Sequence, residues 1–331
     1  MKKITKYLVL LLLFITTLIS SYKSNAQDSL KTTNSEFELL VQHLEANGNF
    51  INSDLSPALI LASEIKDNLK NSKYLVLDIR SESWFDYGHI KNAKNIKAEE
   101  LLHYFENDID SNNFDKITIV CYSGQSAAYY AGLLRLAGYN NVFNLKWGMS
   151  SWAEEFASNI WVKNSKNMDS DNLETTPNTI GEVGNLPILN TGKTTAEEIL
   201  KERIKEAFTK PYKTLIVKAD SVFSNPTDFY IVNYVNEEKH NFGHIKGAVR
   251  YQPNSSLSIS SNLYTLPTNK NIVVNCETGF SAAYAVAYLN ILGYNVSNLA
   301  YGSNSYMNST LIEKGWNGFN EKEINNYPIV E

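Results

Sequence analysis

Several things are scarce in this chain. Only 2 of its 331 residues are cysteine, 8 are proline and 16 glycine, which excludes a disulfide-framed miniature fold and a collagen-like chain. Positive charge is not in excess either: 30 Lys and Arg stand against 35 Asp and Glu, a formal charge of -5. That balance offers no footprint for a polyanion, so nucleic acid is not an expected partner. The apolar stretch at residues 7–19 is shorter than the roughly 20 residues a bilayer span needs. What is present is a 43% apolar and 12% aromatic composition, enough for two packed cores at about 150 residues per domain.

Lys2, Lys3 and Lys6 precede that apolar stretch, and Ser24, Asn25 and Ala26 supply small residues at the spacing of a secretory cleavage site. The pattern predicts a signal peptide over 1–26 and an exported, periplasmic or secreted protein, with no stable membrane insertion after cleavage. Removing it deletes four lysines and no acid, taking the formal charge from -5 to -9.

Self-comparison shows an internal duplication. FDYGHIKNA at 85–93 matches HNFGHIKGA at 240–248, a shift of 155 residues, and the same shift lays CYSGQSAA from Cys121 on CETGFSAA from Cys276. Gly138-Tyr139-Asn140 falls on Gly293-Tyr294-Asn295, and after a one-residue gap Trp147-Gly148 falls on Tyr301-Gly302. Such a period is too long for a solenoid repeat, so each copy is expected to be a domain with its own core. The first copy reads as strands at 74–78, 116–120 and 142–145, with a helix over 126–137 stopped by Gly138. The second repeats the pattern at 229–232 and 271–274, with a helix over 281–292 stopped by Gly293. Strands alternating with helices predict an α/β class with a mostly parallel sheet covered on both faces. The expected organisation is a helical extension over 27–54, a first domain over 55–162, a linker and helix over 163–210, and a second domain over 211–331. Amphipathic helices at 35–45 and 194–208 are each expected to pack on their own domain.

A buried strand ending in Cys121 and turning through a glycine-containing loop into a helix places the sulfur where unpaired amides converge. Those amides and the positive helix end are expected to lower the thiol pKa, making Cys121 a nucleophile candidate. A buried cysteine is also a common small core residue; Gly124 and the small Ser126 and Ala127 favour a loop that curls around an anion.

These blocks resemble the rhodanese family in tandem. The residues that carry the likeness are Asp78-Ile79-Arg80, Gly88-His89-Ile90, the loop from Cys121 to Ala127, and the segment 148–152. The resemblance implies two five-stranded, mostly parallel α/β domains. It implies a sulfurtransferase whose cysteine takes a sulfane sulfur from a small donor such as thiosulfate, mercaptopyruvate or a polysulfide. The resulting persulfide is passed to a thiol or cyanide acceptor, with no metal or organic cofactor. Carried over residue by residue, it assigns Cys121 as catalytic, with Cys276 as second candidate, and Tyr122, Ser123, Gly124, Gln125 and Ser126 as the substrate pocket. Ser126 is equally placed to be a helix N-cap. Arg80 is a candidate for the pocket or for a structural ion pair.

The chain departs from the family in that neither loop contains Arg or Lys. The second copy further carries Asn233 and Val235 for Asp78 and Arg80, and puts Glu277 beside its cysteine. A carboxylate there disfavours a thiolate, so the first copy is expected to be the active one and the second degenerate. A phosphatase reading fails because Ala127 and Ala282 stand where the anion-clamping arginine would be. A duplicated fold that docks a partner or senses sulfide without catalysis is the competing expectation.

Overall fold

The computed structural model describes residues 35–168 and 172–331. The expected signal peptide lies outside the described residues. Residues Glu36–Glu331 form one compact unit built on two five-stranded sheets.

The first sheet takes β1 (Leu59–Ile60), β2 (Tyr74–Asp78), β3 (Lys94–Asn95), β4 (Lys116–Val120) and β5 (Val142–Leu145) in the order β1-β5-β4-β2-β3. Every pairing is parallel. The second sheet repeats that order with β7 (Ile216–Val217), β8 (Phe229–Tyr234), β10 (Val249–Tyr251), β11 (Asn271–Asn275) and β12 (Val296–Leu299), again all parallel. The pair β6 (Leu173–Glu174) and β9 (His244–Ile245) is antiparallel and stands apart. The α/β expectation is met.

Alternation along the strands feeds two layers. Val76 and Val120 point to an outer cluster with Ile60, Leu145 and Trp152. Their neighbours Leu77 and Ile119 point to an inner cluster that runs on through Ile272 and Val274 of the second sheet. The expectation of two separate cores therefore holds only on the outer faces, because the inner core is shared.

The reason lies in two helices, α4 (Gln125–Leu136) and α9 (Phe280–Ile291). Apart from Ser126 and Ser281, every residue in them is buried, as happens when a sheet covers one side and a second helix the other. They touch at Gly132, where a Cβ would stand 3.3 Å from that of Ala287. Both end as predicted, with Gly138 at φ 101° and Gly293 at φ 89° and with Tyr139 and Tyr294 amides donating back to Leu134 and Leu289, a glycine-stopped helix end.

The flanking helices depart from expectation. Helix α1 (Glu36–Ala46) packs not on its own copy but on the second, with the Phe37 ring 6.0 Å from both Tyr264 and Tyr294 and Glu45 accepting from the Ile259 amide. Helix α6 (Ala196–Thr209) bridges both copies: Phe208 meets Tyr130 at 5.6 Å, while Arg203 donates to the Ile291 and Asn290 carbonyls. An amphipathic period reveals that a face is buried, but not against which copy.

The tails are exchanged as well. After the first copy, Lys166 and Met168 donate to the Asn304 and Tyr306 carbonyls, and β6 pairs with β9 beside His244. After the second copy, Asn325 and Tyr327 donate to the Ser151 and Trp152 carbonyls, and Val330 exchanges two hydrogen bonds with His89. Each copy is thus closed by the other's tail.

Candidate active site

Strand β4 ends at Val120, buried between parallel neighbours, and delivers Cys121 to the carboxyl edge of the sheet. Gly124 then takes φ 86° and starts α4, a left-handed turn that favours glycine. The amides of Gly124 and Ala127 donate to Cys121 Sγ at 3.1 and 3.4 Å. Loop carbonyls are drawn the other way: Met149 donates to the Cys121 carbonyl at 2.9 Å, Ser150 Oγ to that of Tyr122 at 3.2 Å, and Trp161 Nε1 to that of Ser123 at 2.9 Å. Pinning carbonyls outward turns N–H groups inward, the geometry of an anion nest.

Close approach beneath the loop depends on Gly148, at φ 60°, where a Cβ would stand 2.5 Å from both the Cys121 carbonyl oxygen and the Gly124 nitrogen.

The second loop reproduces the first. Gly279 and Ala282 donate to Cys276 Sγ at 3.1 and 3.4 Å, and Gly302 fills the place of Gly148. Both cysteines are free and 2% exposed. Burial pushes both thiols up. At Cys121 the Ser126 hydroxyl and the amides of Ala127, Gly124 and Ser123 act against it. At Cys276 the amides of Ala282, Thr278 and Gly279 do so while Glu277 adds to the rise. The expected net lowering of the thiol pKa is thereby corrected: the amides are present, and the loss of water outweighs them.

The remaining candidates fall as follows. Tyr122 reaches the Ser81 amide with its hydroxyl, at 3.3 Å. Ser123 Oγ accepts from Gln125 Nε2 at 3.2 Å, and Ser126 faces the sulfur while Gly124 occupies the N-cap. Arg80 is buried, its Nε and Nη2 on the Asp78 carboxylate and Nη2 also on the Gly88 carbonyl at 2.8 Å. Its Nη1 has no hydrogen-bond partner, and its guanidinium lies 4.9 Å from the Phe156 ring and 6.0 Å from that of Tyr122.

In the second copy Asn233 and His240 replace Asp78 and Phe85, and they bond to each other at 2.9 Å. Trp84 and Tyr122, rings 5.9 Å apart edge to face, give way to Lys239 and Glu277, an ion pair at 2.5 Å. The loop sequence lacks a cation, but helix α8 (Glu237–Phe242) brings one to it. Lys239 was missed because no spacing rule connects it to Cys276; Trp161 likewise. The aromatic-glycine pair repeated at 147–148 and 301–302 was the available signal for the floor of each loop.

A parallel α/β unit repeated twice, each half presenting a cysteine to inward-turned amides at a helix start, defines a duplicated cysteine-loop protein. The rhodanese-like domain profile matches residues 61–155 and 223–309, more than half of the sequence, and the chain belongs to the rhodanese family.

The thiosulfate sulfurtransferase GlpE of Shewanella oneidensis is 35% identical over 80 residues, covering 24% of this chain and 75% of that protein. The tRNA uridine(34) hydroxylase of Streptococcus thermophilus is 27% identical over 131 residues, 37% of this chain, and the match spans only 40% of its length. Among solved structures, the thiosulfate sulfurtransferase of Pseudomonas aeruginosa aligns with 90% of this chain and 49% of its own at 13% identity and TM-score 0.29. The 3-mercaptopyruvate sulfurtransferase SseA of Escherichia coli aligns over 73% of this chain and 97% of its own at 14% identity and TM-score 0.28. Among the described residues no three metal-ligating side chains cluster, and no helix is long and apolar enough to cross a membrane.

Proposed function

We infer that the protein is a sulfurtransferase carrying a sulfane sulfur on Cys121, with Cys276 as a second carrier. The observation that supports this most directly is the pair of amides on Cys121 Sγ at the start of α4. After the thiol gives its proton to solvent, the thiolate attacks the outer sulfur of thiosulfate or a polysulfide, or the thiol sulfur of mercaptopyruvate. One S–S bond forms, the donor's S–S or C–S bond to that sulfur breaks, and sulfite, a shortened polysulfide or the pyruvate enolate leaves with the electron pair. A thiol or cyanide acceptor then attacks the outer sulfur of the persulfide and returns Cys121 as thiolate. Thiolate and persulfide are both anions, so one nest stabilises both without a metal. The Ser126 hydroxyl at Cys121 and the Glu277 carboxylate at Cys276 favour the first copy. The reading includes export with cleavage before Gln27, tested by sequencing the mature N-terminus.

Burial of both sulfurs favours the competing reading, a docking or sulfide-sensing module. Intact mass after exposure to each donor, with cyanolysis of wild type, Cys121→Ala and Cys276→Ala, separates the two. Sulfur transfer predicts an added sulfur on Cys121, with less on Cys276, and turnover strongly reduced in Cys121→Ala and little changed in Cys276→Ala; equal low turnover in all three proteins selects the binding module.

A further inference from the structure

The residue four places after each cysteine works on the other copy. Gln125 follows Cys121, yet its Oε1 accepts from the Tyr301 amide at 2.7 Å, and it lies so close to Gly279 that a Cβ there would stand 2.5 Å from Oε1 and 3.1 Å from Cδ. Phe280 follows Cys276, yet its ring packs on Trp147 at 5.4 Å and Trp161 at 6.0 Å, and a Cβ at Gly124 would stand 3.0 Å from its Cε1. Both side chains are buried.

What they press on matters. Gly279 and Gly124 give the shorter hydrogen bond to each sulfur, 3.1 Å in both loops. Tyr301 leads into Gly302, and Trp147 into Gly148, the floor residues against which the Gly279 and Gly124 amides lie. Each crossing side chain therefore contacts both the roof glycine and the aromatic residue ahead of the floor glycine of the opposite loop. One crossing is a hydrogen bond and the other an aromatic contact. Neither glycine has a side chain of its own to anchor it.

We propose that Gln125 is a positioning residue for Cys276 and Phe280 a positioning residue for Cys121, so that each sulfur's reactivity is set from the opposite copy. This deepens the sulfur-transfer reading and rests on it for its purpose, but its test needs no sulfur donor. Tyr212 and Tyr301 lie close enough to Cys121 to be raised by its charge, as Tyr212, Tyr234 and Tyr306 are by that of Cys276; Glu277 raises the Cys276 thiol and pairs with Lys239. The substitutions below add and remove no charge.

The test is iodoacetamide labelling of the full chain as a function of pH, with each cysteine peptide quantified by mass spectrometry. Gln125→Met keeps the length and loses the acceptor, together with the Nε2 bond to the Ser123 hydroxyl of its own loop; it is expected to raise the Cys276 titration midpoint and slow its labelling below that midpoint about threefold, the scale of a weakened bond to a charged group, while Cys121 moves no more than in Ser123→Ala, which loses the own-loop bonds alone. Phe280→Leu is expected to do the reverse; if it does not melt cooperatively, Phe280→Met replaces it. A larger effect on the cysteine of the same loop, equal effects on both, or faster labelling at every pH with an unmoved midpoint overturns the proposal, the last because it marks a mere cover. Wild-type sulfur loading, measured separately by mass, shows independently whether the sulfur-transfer reading stands.

Discussion

Asn233 and His240 share a hydrogen bond of 2.9 Å between Nδ2 and Nδ1, in the two positions that Asp78 and Phe85 occupy in the first copy. A buried ion pair beside one sheet has become a neutral pair beside the other. His240 is held neutral, its pKa lowered to about 4 by burial first, then by His244 and Arg250, with Glu174 opposing. The ordinary value for an unfolded histidine is about 6.5. Because the unfolded chain binds the proton more readily, this contribution is fully present above about pH 6.5 and is lost as pH falls toward 4, up to about 3 kcal/mol. Urea unfolding across that window should show stability falling with acid, and His240→Phe, the residue of the first copy, should flatten the slope. An unchanged slope in the variant would refute the assignment.

The first copy's ion pair makes a second prediction. Asp78 and Arg80 are both buried, with side chains at most 1% exposed. Asp78→Asn alone leaves a guanidinium without its counter-charge and should cost about 3–5 kcal/mol. Asp78→Asn with Arg80→Val, the residues found in the second copy, should cost much less, since no charge remains buried. Denaturant midpoints of the two singles and the double variant measure the coupling; additive losses would show that the pair does not act as a unit.

Glycines separate tightly packed from open positions. Gly148→Ala meets backbone at 2.5 Å at a positive φ, whereas Gly138 at φ 101° has nothing within 4 Å of its added Cβ. Gly138→Ala is therefore expected to carry only backbone strain, about 1–2 kcal/mol. Gly148→Ala should lose more, because the loop carrying Cys121 must move, and should alter labelling of Cys121 as well as the melting temperature. Equal losses at the two sites would contradict the steric account.

Much of this was legible in the sequence and some was not. Strands 74–78, 116–120 and 142–145 coincide with β2, β4 and β5, because short buried strands announce themselves as apolar runs. Glycine stops at 138 and 293 did so as well. The duplicated pattern aligned the two cysteine loops, and the resemblance to the rhodanese family supplied Tyr122 to Ser126 as the pocket around Cys121. What failed was anything set by packing between residues distant in sequence: where α1 packs, which loop Gln125 serves, and that Lys239 meets Glu277. These contacts join residues 38 to 257 positions apart, and local periodicity carries no record of them. The thiol pKa was misjudged for a related reason. Amides around a sulfur can be inferred from a loop, but burial of the sulfur at 2% exposure depends on everything packed over it.

Tail exchange makes the last prediction. Val330 donates to the His89 carbonyl at 3.0 Å and its own carbonyl accepts from the His89 amide at 2.9 Å, while Ile329 lies on Gly88, whose carbonyl also receives Arg80 Nη2. Proline at position 330 has no N–H to donate, so Val330→Pro removes one bond of the pair and loosens the other. The His89 amide should then exchange with deuterium faster, and so should its neighbours in the turn before β3, while β4 and α4 keep their protection because their bonds lie within the first copy. Hydrogen exchange with peptide resolution reads this directly. Unchanged protection at His89 would mean that the tail rests on the first copy without holding its turn in place.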